Sequence, residues 1–174
     1  MQDHRWPHHI IHPEYSFELV TSEKNQPFKA VCAMYQIERQ DLMSELGNMM
    51  IYCIYDQEHE PIGTIQIENY PSSEALKEQI SQEEKAESLF NKGQTLELSY
   101  ALSEEYRGQG FGKAAITGWV RAIKEVEASS QFFAVVDFDN PASIKILEYC
   151  GFFRVGSYVH EETKNATYLY TLSP

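Results

Sequence analysis

Cysteine is scarce in this 174-residue chain, with only Cys32, Cys53 and Cys150. They are widely spaced and form no C-x-x-C pair, which argues against a disulfide framework and a zinc ribbon and leaves three thiols read as buried. Long apolar runs are also lacking. None approaches the ~20 residues of a membrane span, and the opening MQDHRWPHHIIHPEY has neither the apolar core nor the cleavage pattern of a signal peptide. A cytoplasmic protein with no membrane contact is expected. Positive charge is the third shortage, since 14 Lys and Arg stand against 26 Asp and Glu for a formal net charge of -12. Nucleic acid is thereby disfavoured as a direct partner, because binding a polyanion relies on basic side chains neutralising phosphates. What remains is ordinary globular composition, 43% hydrophobic and 23% charged, in a length that suits a single domain over 1–174.

The charge is uneven. Residues 1–102 hold 7 basic and 17 acidic side chains, residues 103–154 hold 6 and 7, and the last twenty hold 1 and 2. A cationic ligand would be drawn to the first part and an anionic one repelled least by the second, while acidity by itself also serves solubility.

Alternating YSFELVT, from Tyr15 to Thr21, reads as a first strand. One or two helices are expected from about Phe28 to Leu46, ending at Gly47, and then a hairpin of Met49–Asp56 and Ile62–Glu68. Residues 71–93 lack β-branched density, and Ser81 with Glu84 has capping-box spacing. A helical insertion is expected there, either a spacer or a lid or partner contact. TLELSYAL, Thr95 to Leu102, reads as a strand, and a glycine-rich turn leads from it into a helix whose apolar stripe is Ile116, Trp119, Val120, Ile123 and Val126. Phe132 to Phe138 is apolar enough for a central strand. Asn140 as N-cap, Pro141 at the first helical position and Gly151 after Cys150 bound a ten-residue helix. Two strands, Phe152 to His160 and Ala166 to Leu172, close the chain.

Gly108, Gly110 and Gly112 lie between strand and helix, where a tight turn can aim backbone amides at an anion. A Walker A loop would need glycine at 107 and Ser or Thr at 114, where the chain has Arg107 and Ala114. A Rossmann fingerprint would need glycine at 113, where it has Lys113. Taken alone, the turn is equally an ordinary β-to-α connection.

The run Arg107-Gly108-Gln109-Gly110-Phe111-Gly112 does fit R/Q-x-x-G-x-G/A, and so resembles the acyl-CoA pyrophosphate loop of the GNAT superfamily of N-acetyltransferases. ELSYALSEEYRGQGFGKAA resembles that family's fourth strand and following helix, and NPASIKILEYCGF its N-x-x-S helix ending in G-F, most like the RimJ/RimL type. The two blocks with their intervening strand, about Thr95 to Phe152, cover roughly a third of the chain; the first ninety residues match only in their order of elements. The resemblance implies a mixed α/β fold with a splayed central sheet of about six or seven strands flanked by helices. It further implies acetyl-CoA as co-substrate. Backbone groups of Ala101 and Leu102 would pair with the pantetheine arm, amides of Gly108, Gln109, Gly110, Phe111, Gly112 and Lys113 would hold the pyrophosphate, and Arg107 and Lys113 would add positive charge. Asn140 would reach the cofactor arm, act as an N-cap, or do both.

Many members of this family carry a tyrosine seven residues after that asparagine to protonate the departing thiolate, and here the position is Leu147. Tyr149 is two helical steps of ~100° away, on nearly the opposite face, and is read as a packing residue. Ser143 shares the face of Asn140 and Leu147, so its hydroxyl is either the donor or simply a helix-start residue. RimJ/RimL-type chains commonly have leucine there, and a thiolate of parent pKa ~8.5 can depart without a dedicated acid. Glu97 matches a glutamate frequent in the family's fourth strand, where some members use it as base or water-holder; a structural carboxylate is the other reading. Asp137 and Asp139 could meet a cationic acceptor or merely end a strand. His4, His8, His9 and His12 fall in an N-terminus, 1–13, expected to be mobile, with no Cys or carboxylate set beside them, so no metal is assigned.

The expected function is acetyl-CoA-dependent N-acetylation by direct attack of a primary amine, with backbone amides near Leu102 available to the oxyanion. The acceptor is a protein N-terminal amine or a small cationic amine such as a polyamine. A rival reading, motivated by Leu147, is a non-catalytic acyl-CoA-binding or regulatory domain. Oligomeric state has no signature in the sequence.

Overall fold

Apolar runs and capping residues set the order of elements. In the computed structural model, which describes residues 6–69, 95–126, 128, 130–159 and 164–172, the strands are β1 (His9–Ile11), β2 (Ser16–Leu19), β3 (Met49–Tyr55), β4 (Pro61–Asn69), β5 (Thr95–Leu102), β6 (Gln131–Asp137), β7 (Phe152–Val159) and β8 (Ala166–Leu172). The helices are α1 (Gln26–Tyr35), α2 (Arg39–Glu45), α3 (Phe111–Val126) and α4 (Pro141–Tyr149), with a short 3-10 turn over Glu104–Tyr106. The strands follow the order β1-β2-β3-β4-β5-β6-β8-β7 in one sheet. Its parallel β5–β6 ladder covers Thr95–Glu97, and the ladders β1–β2, β2–β3, β3–β4, β6–β8 and β7–β8 are antiparallel. This is the expected mixed α/β class with a splayed sheet, carrying eight strands where six or seven were expected. The helical insertion expected over 71–93 lies outside the described residues.

The chain, read from its sequence as one domain, gathers into two compact units, Met1–Glu68 with Ser99–Val126 and Asn69–Leu98 with Glu127–Pro174. In the first, β3 is buried along nearly its whole length. One set of its side chains, Ile51, Cys53 and Tyr55, joins Val20, Phe28, Val31 and Leu42 in a core with α1 and α2. The alternate residue Tyr52 meets Trp119 of α3 edge to face, with ring centroids 5.8 Å apart. Helices thus cover both faces, which is why MMIYCIY is continuously apolar and not alternating. Helix α1 starts where Asn25 Oδ1 accepts the Phe28 N–H at 3.2 Å, with Pro27 in the first turn. The apolar stripe of α3 is buried from Ile116 to Ile123, but Val126 at its end is 49% exposed.

The N-terminal segment expected to be mobile carries structure from Trp6 onward. Trp6 is only 2% exposed, Ile10 is buried, and His9–Ile11 pair with Ser16–Glu18. The Tyr52 hydroxyl donates to the Pro7 carbonyl at 2.8 Å, so a buried phenol and a buried indole hold a stretch whose own sequence is polar. The thiols differ from expectation as well. Cys53 is buried, and burial pushes its pKa up to about 12, whereas Cys32 and Cys150 are only partly covered.

In the second unit β8 lies between β6 and β7. Its buried Thr171 accepts from Gln131 Nε2 at 3.2 Å and donates to the Phe132 carbonyl at 3.1 Å, so these buried polar groups are paired. The Tyr170 hydroxyl donates to Glu148 at 3.1 Å and ties α4 to β8.

Gly63 of β4 lies close against the end of β5. A Cβ there would collide with the Ala101 carbonyl oxygen and stand 2.8 Å from Leu102 Cδ2. Gly63→Ala is therefore expected to lower unfolding free energy by about 1–3 kcal/mol, as overpacking does, read as a lower urea midpoint. An unchanged midpoint would exclude this approach of β4 and β5.

Candidate active site

The turn from β5 into α3 is built from local hydrogen bonds. Ser103 N–H donates to the Ile62 carbonyl at 2.9 Å as the strand ends, and Tyr106 and Arg107 N–H close the 3-10 turn on Ser103 and Glu104 at 3.0 and 3.2 Å. Gln109 Nε2 reaches back to the Glu105 carbonyl at 2.6 Å. Gly108 and Gly110 then take φ of 73° and 88°, a region that costs other L-residues roughly 1–2 kcal/mol. Apart from their chain neighbours, no heavy atom of the described residues lies within 4 Å of where their Cβ atoms would stand. The glycines are required by backbone conformation, and the space beside them is open. Ala114 N–H donates to the Gly110 carbonyl at 3.2 Å, so the Phe111 and Gly112 amides occupy the first turn, where no carbonyl one turn back can accept them. With the helix dipole behind them they suit an anion. Gly112, expected among the turn-making glycines, is instead a buried residue inside α3 without positive φ.

The two backbone carbonyls at the end of β5 each have an internal donor. Arg107 Nε donates to the Leu102 carbonyl at 2.9 Å, and the Tyr35 hydroxyl donates to that of Ala101 at 3.3 Å. Tyr35 also shares a 3.1 Å hydrogen bond with the buried Thr64 hydroxyl. Ser103 Oγ is buried with no hydrogen-bond partner among the described residues. Arg107 and Lys113 are exposed. Phe111 is met edge-on by Tyr106 and Tyr15, at centroid distances of 5.6 and 6.3 Å. Burial pushes the Tyr106 phenol up, and the negative field of Glu105, Asp56, Glu60 and Glu58 adds to it.

The second unit holds the other candidates. Glu97 lies between the buried Leu96 and Leu98, half-exposed and level with Phe133 of β6. That is four residues, roughly 13 Å, short of the strand's end at Asp137. Asn140 is an N-cap: its Oδ1 accepts the Ser143 N–H at 3.1 Å. Ser143 is half-buried, and Leu147 is 1% exposed. Tyr149, read as a packing residue, is instead 59% exposed, because its face of α4 is turned away from that of Leu147. Asp137 accepts from Thr167 Oγ1 at 3.2 Å, which gives it a structural partner at the strand end, and Asp139 is exposed.

The structure thus brings Ala101, Leu102 and the loop from Arg107 to Lys113 together in one unit, and Asn140 with Ser143 in the other. Sequence reasoning missed Tyr35, Gly63 and Thr64. Their contacts reach 66 residues in the case of Tyr35 and Ala101, and no local motif marks them. Among the described residues no three His, Cys, Asp or Glu side chains assemble as a metal site, and no described helix is long and apolar enough to cross a membrane.

The family model described as an acetyltransferase (GNAT) domain matches residues 24–153, most of the chain. The chain therefore belongs to the GNAT acetyltransferase family. It is an N-acetyltransferase, and its likeness to RimJ/RimL-type structures holds at the level of fold. A ribosomal-protein-S5-alanine acetyltransferase from Vibrio fischeri superposes with a TM-score of 0.66 at 15% identity, covering 94% of each chain. RimL, a ribosomal L7/L12 alpha-N-protein acetyltransferase in complex with coenzyme A, gives 0.64 at 14%, over 93% of this chain and 95% of that one. A dodecameric spermidine N-acetyltransferase from Vibrio cholerae gives 0.66 at 12%, again over 93% and 95%. No curated protein sequence matches the chain.

The cap at Asn140 makes a direct prediction. Asn140→Ala removes the acceptor for Ser143 N–H and is expected to cost about 1 kcal/mol in urea unfolding, while Asn140→Asp, which keeps an acceptor oxygen, stays near wild type. Equal stability of all three proteins would show that the cap contributes nothing.

Proposed function

We propose that the chain transfers the acetyl group of acetyl-CoA to a primary amine, either a protein N-terminal amine or a small cationic amine such as a polyamine, by direct attack. The observation that carries this reading is the open loop at Gly108 and Gly110, which runs into the first turn of a helix in a chain of the GNAT family. The residues fit the co-substrate: the amides from Gly108 to Lys113 suit a pyrophosphate, and the exposed Arg107 and Lys113 bring positive charge to it. Acetyl-CoA supplies the activated thioester.

The remaining roles belong to this chain's own side chains. Asn140 spends Oδ1 on its cap, which leaves its Nδ2 for the cofactor arm. Ser143 is the candidate donor to the departing sulfur, since Leu147 offers none, and Glu97 is the candidate base. Amides near Leu102 are the candidate oxyanion donors. Neighbours named for ribosomal proteins and for spermidine bracket the two acceptor classes, and the net charge of -12 favours the cationic one.

Two measurements test this reading. Gly110→Asp puts a charged side chain into the open space beside the loop at an unfavourable φ, and calorimetry is expected to show acetyl-CoA binding lost with the fold retained; unchanged affinity would remove the cradle. Glu97→Gln is expected to lower turnover about 10²-fold at neutral pH, the lower range for general base catalysis. A lysine-like amine of pKa ~10.4 is almost wholly protonated at pH 7, so the loss should shrink as pH rises and free amine accumulates. Wild-type turnover with an unaltered pH profile would leave Glu97 a structural carboxylate.

A further inference from the structure

We infer that Tyr35 is a positioning residue for the acyl-CoA arm, acting through the Ala101 carbonyl; this rests on the proposed binding of acetyl-CoA along the end of β5. The phenol lies at the end of α1, far from the motifs that define the family, and is largely buried. Its oxygen touches two groups, Thr64 Oγ1 at 3.1 Å and the Ala101 carbonyl at 3.3 Å. A phenol has one proton to give. When Tyr35 gives it to Ala101, the Thr64 hydroxyl must donate to Tyr35, so the chain of bonds runs Thr64 to Tyr35 to Ala101 with one polarity and each bond strengthening the next.

Gly63 explains why the peptide needs this hold. Its missing Cβ lets β4 come against Ala101 and Leu102 where the strand ends, and the β5 backbone there passes into the loop within a residue, at Ser103. A strand end can pivot about its last ladder bonds. Two side-chain donors oppose that pivot, Tyr35 on the Ala101 carbonyl and Arg107 on the next. Fixing both peptide planes sets the direction of their backbone groups, with which an extended arm would pair. The pKa of the Tyr35 phenol is raised by burial, against smaller lowering influences from Thr64 and Arg107.

The arm and the nucleotide end of acetyl-CoA can be separated experimentally, because 3'-phospho-ADP carries the phosphates and no pantetheine. Tyr35→Phe removes one oxygen and keeps the ring. It is expected to weaken acetyl-CoA by about tenfold, the ~1.4 kcal/mol of one decade, in calorimetry of the full chain, and to raise the KM for acetyl-CoA correspondingly, while the affinity for 3'-phospho-ADP stays within twofold. A general loosening of the site would weaken both ligands equally and overturn the inference, as would unchanged affinity for both. Should Tyr35→Phe fail to fold, Thr64→Val, close to isosteric, unties the phenol's own anchor and is expected to give the same selective loss at about threefold; no selectivity there would also overturn it. Wild-type protein that binds neither probe would refute the acetyl-CoA reading itself, a result distinct from any difference between variants.

Discussion

Left-handed backbone at Gly108 and Gly110 is the constraint on which the loop depends. An extended strand must become a helix within a few residues, and it must do so with the first helical amides facing outward. Two residues at positive φ accomplish the reversal, and any side chain there would add a conformational cost before it met a ligand. The turn is firm because its far end is anchored. Ile116, Trp119 and Ile123 of α3 are fully buried, with Trp119 against Tyr52 of β3, so the loop is held to the core of its unit through one continuous helix.

What the sequence made legible was local. Asn25 before Pro27 and Asn140 before Pro141 each mark a helix start through a side-chain oxygen and a fixed φ, and both caps form. The glycine loop and the apolar stripe of α3 are read the same way, although the stripe ends a turn early because Val126 is the last helical residue. Distant contacts left no such trace. Strand β1 is three residues in a polar, histidine-rich stretch, held by burial of Trp6 and Ile10 and by a phenol 45 residues away. Tyr35 carries no motif at all; it matters only because folding delivers it to Ala101. The number and spacing of the cysteines also misjudged Cys32 and Cys150, which are only partly covered, since scarcity says nothing about how deeply each thiol is set.

Leu147 shows how packing constrains chemistry. Position 147 is sealed into the hydrophobic side of α4, and a phenol there would need both added volume and a partner for its hydroxyl. The helix keeps Ser143 one turn earlier on the same side, half-buried and carrying the smaller hydroxyl. A chain that fills this position with leucine gives up a strong proton donor and gains a well-packed helix. In the proposed reaction that exchange is tolerable, because a thiolate leaves more readily than an alkoxide.

The carboxylates that act on Tyr106 have a corollary in salt. Glu105, Asp56, Glu60 and Glu58 set a negative field at Tyr106, so the proposed anionic ligand meets their repulsion together with the attraction of the exposed Arg107 and Lys113. Dissolved ions shorten the reach of that field to about 8 Å at physiological ionic strength. Salt therefore weakens the repulsion and the attraction alike beyond that distance, and leaves the contacts made at hydrogen-bond range as what holds the proposed ligand.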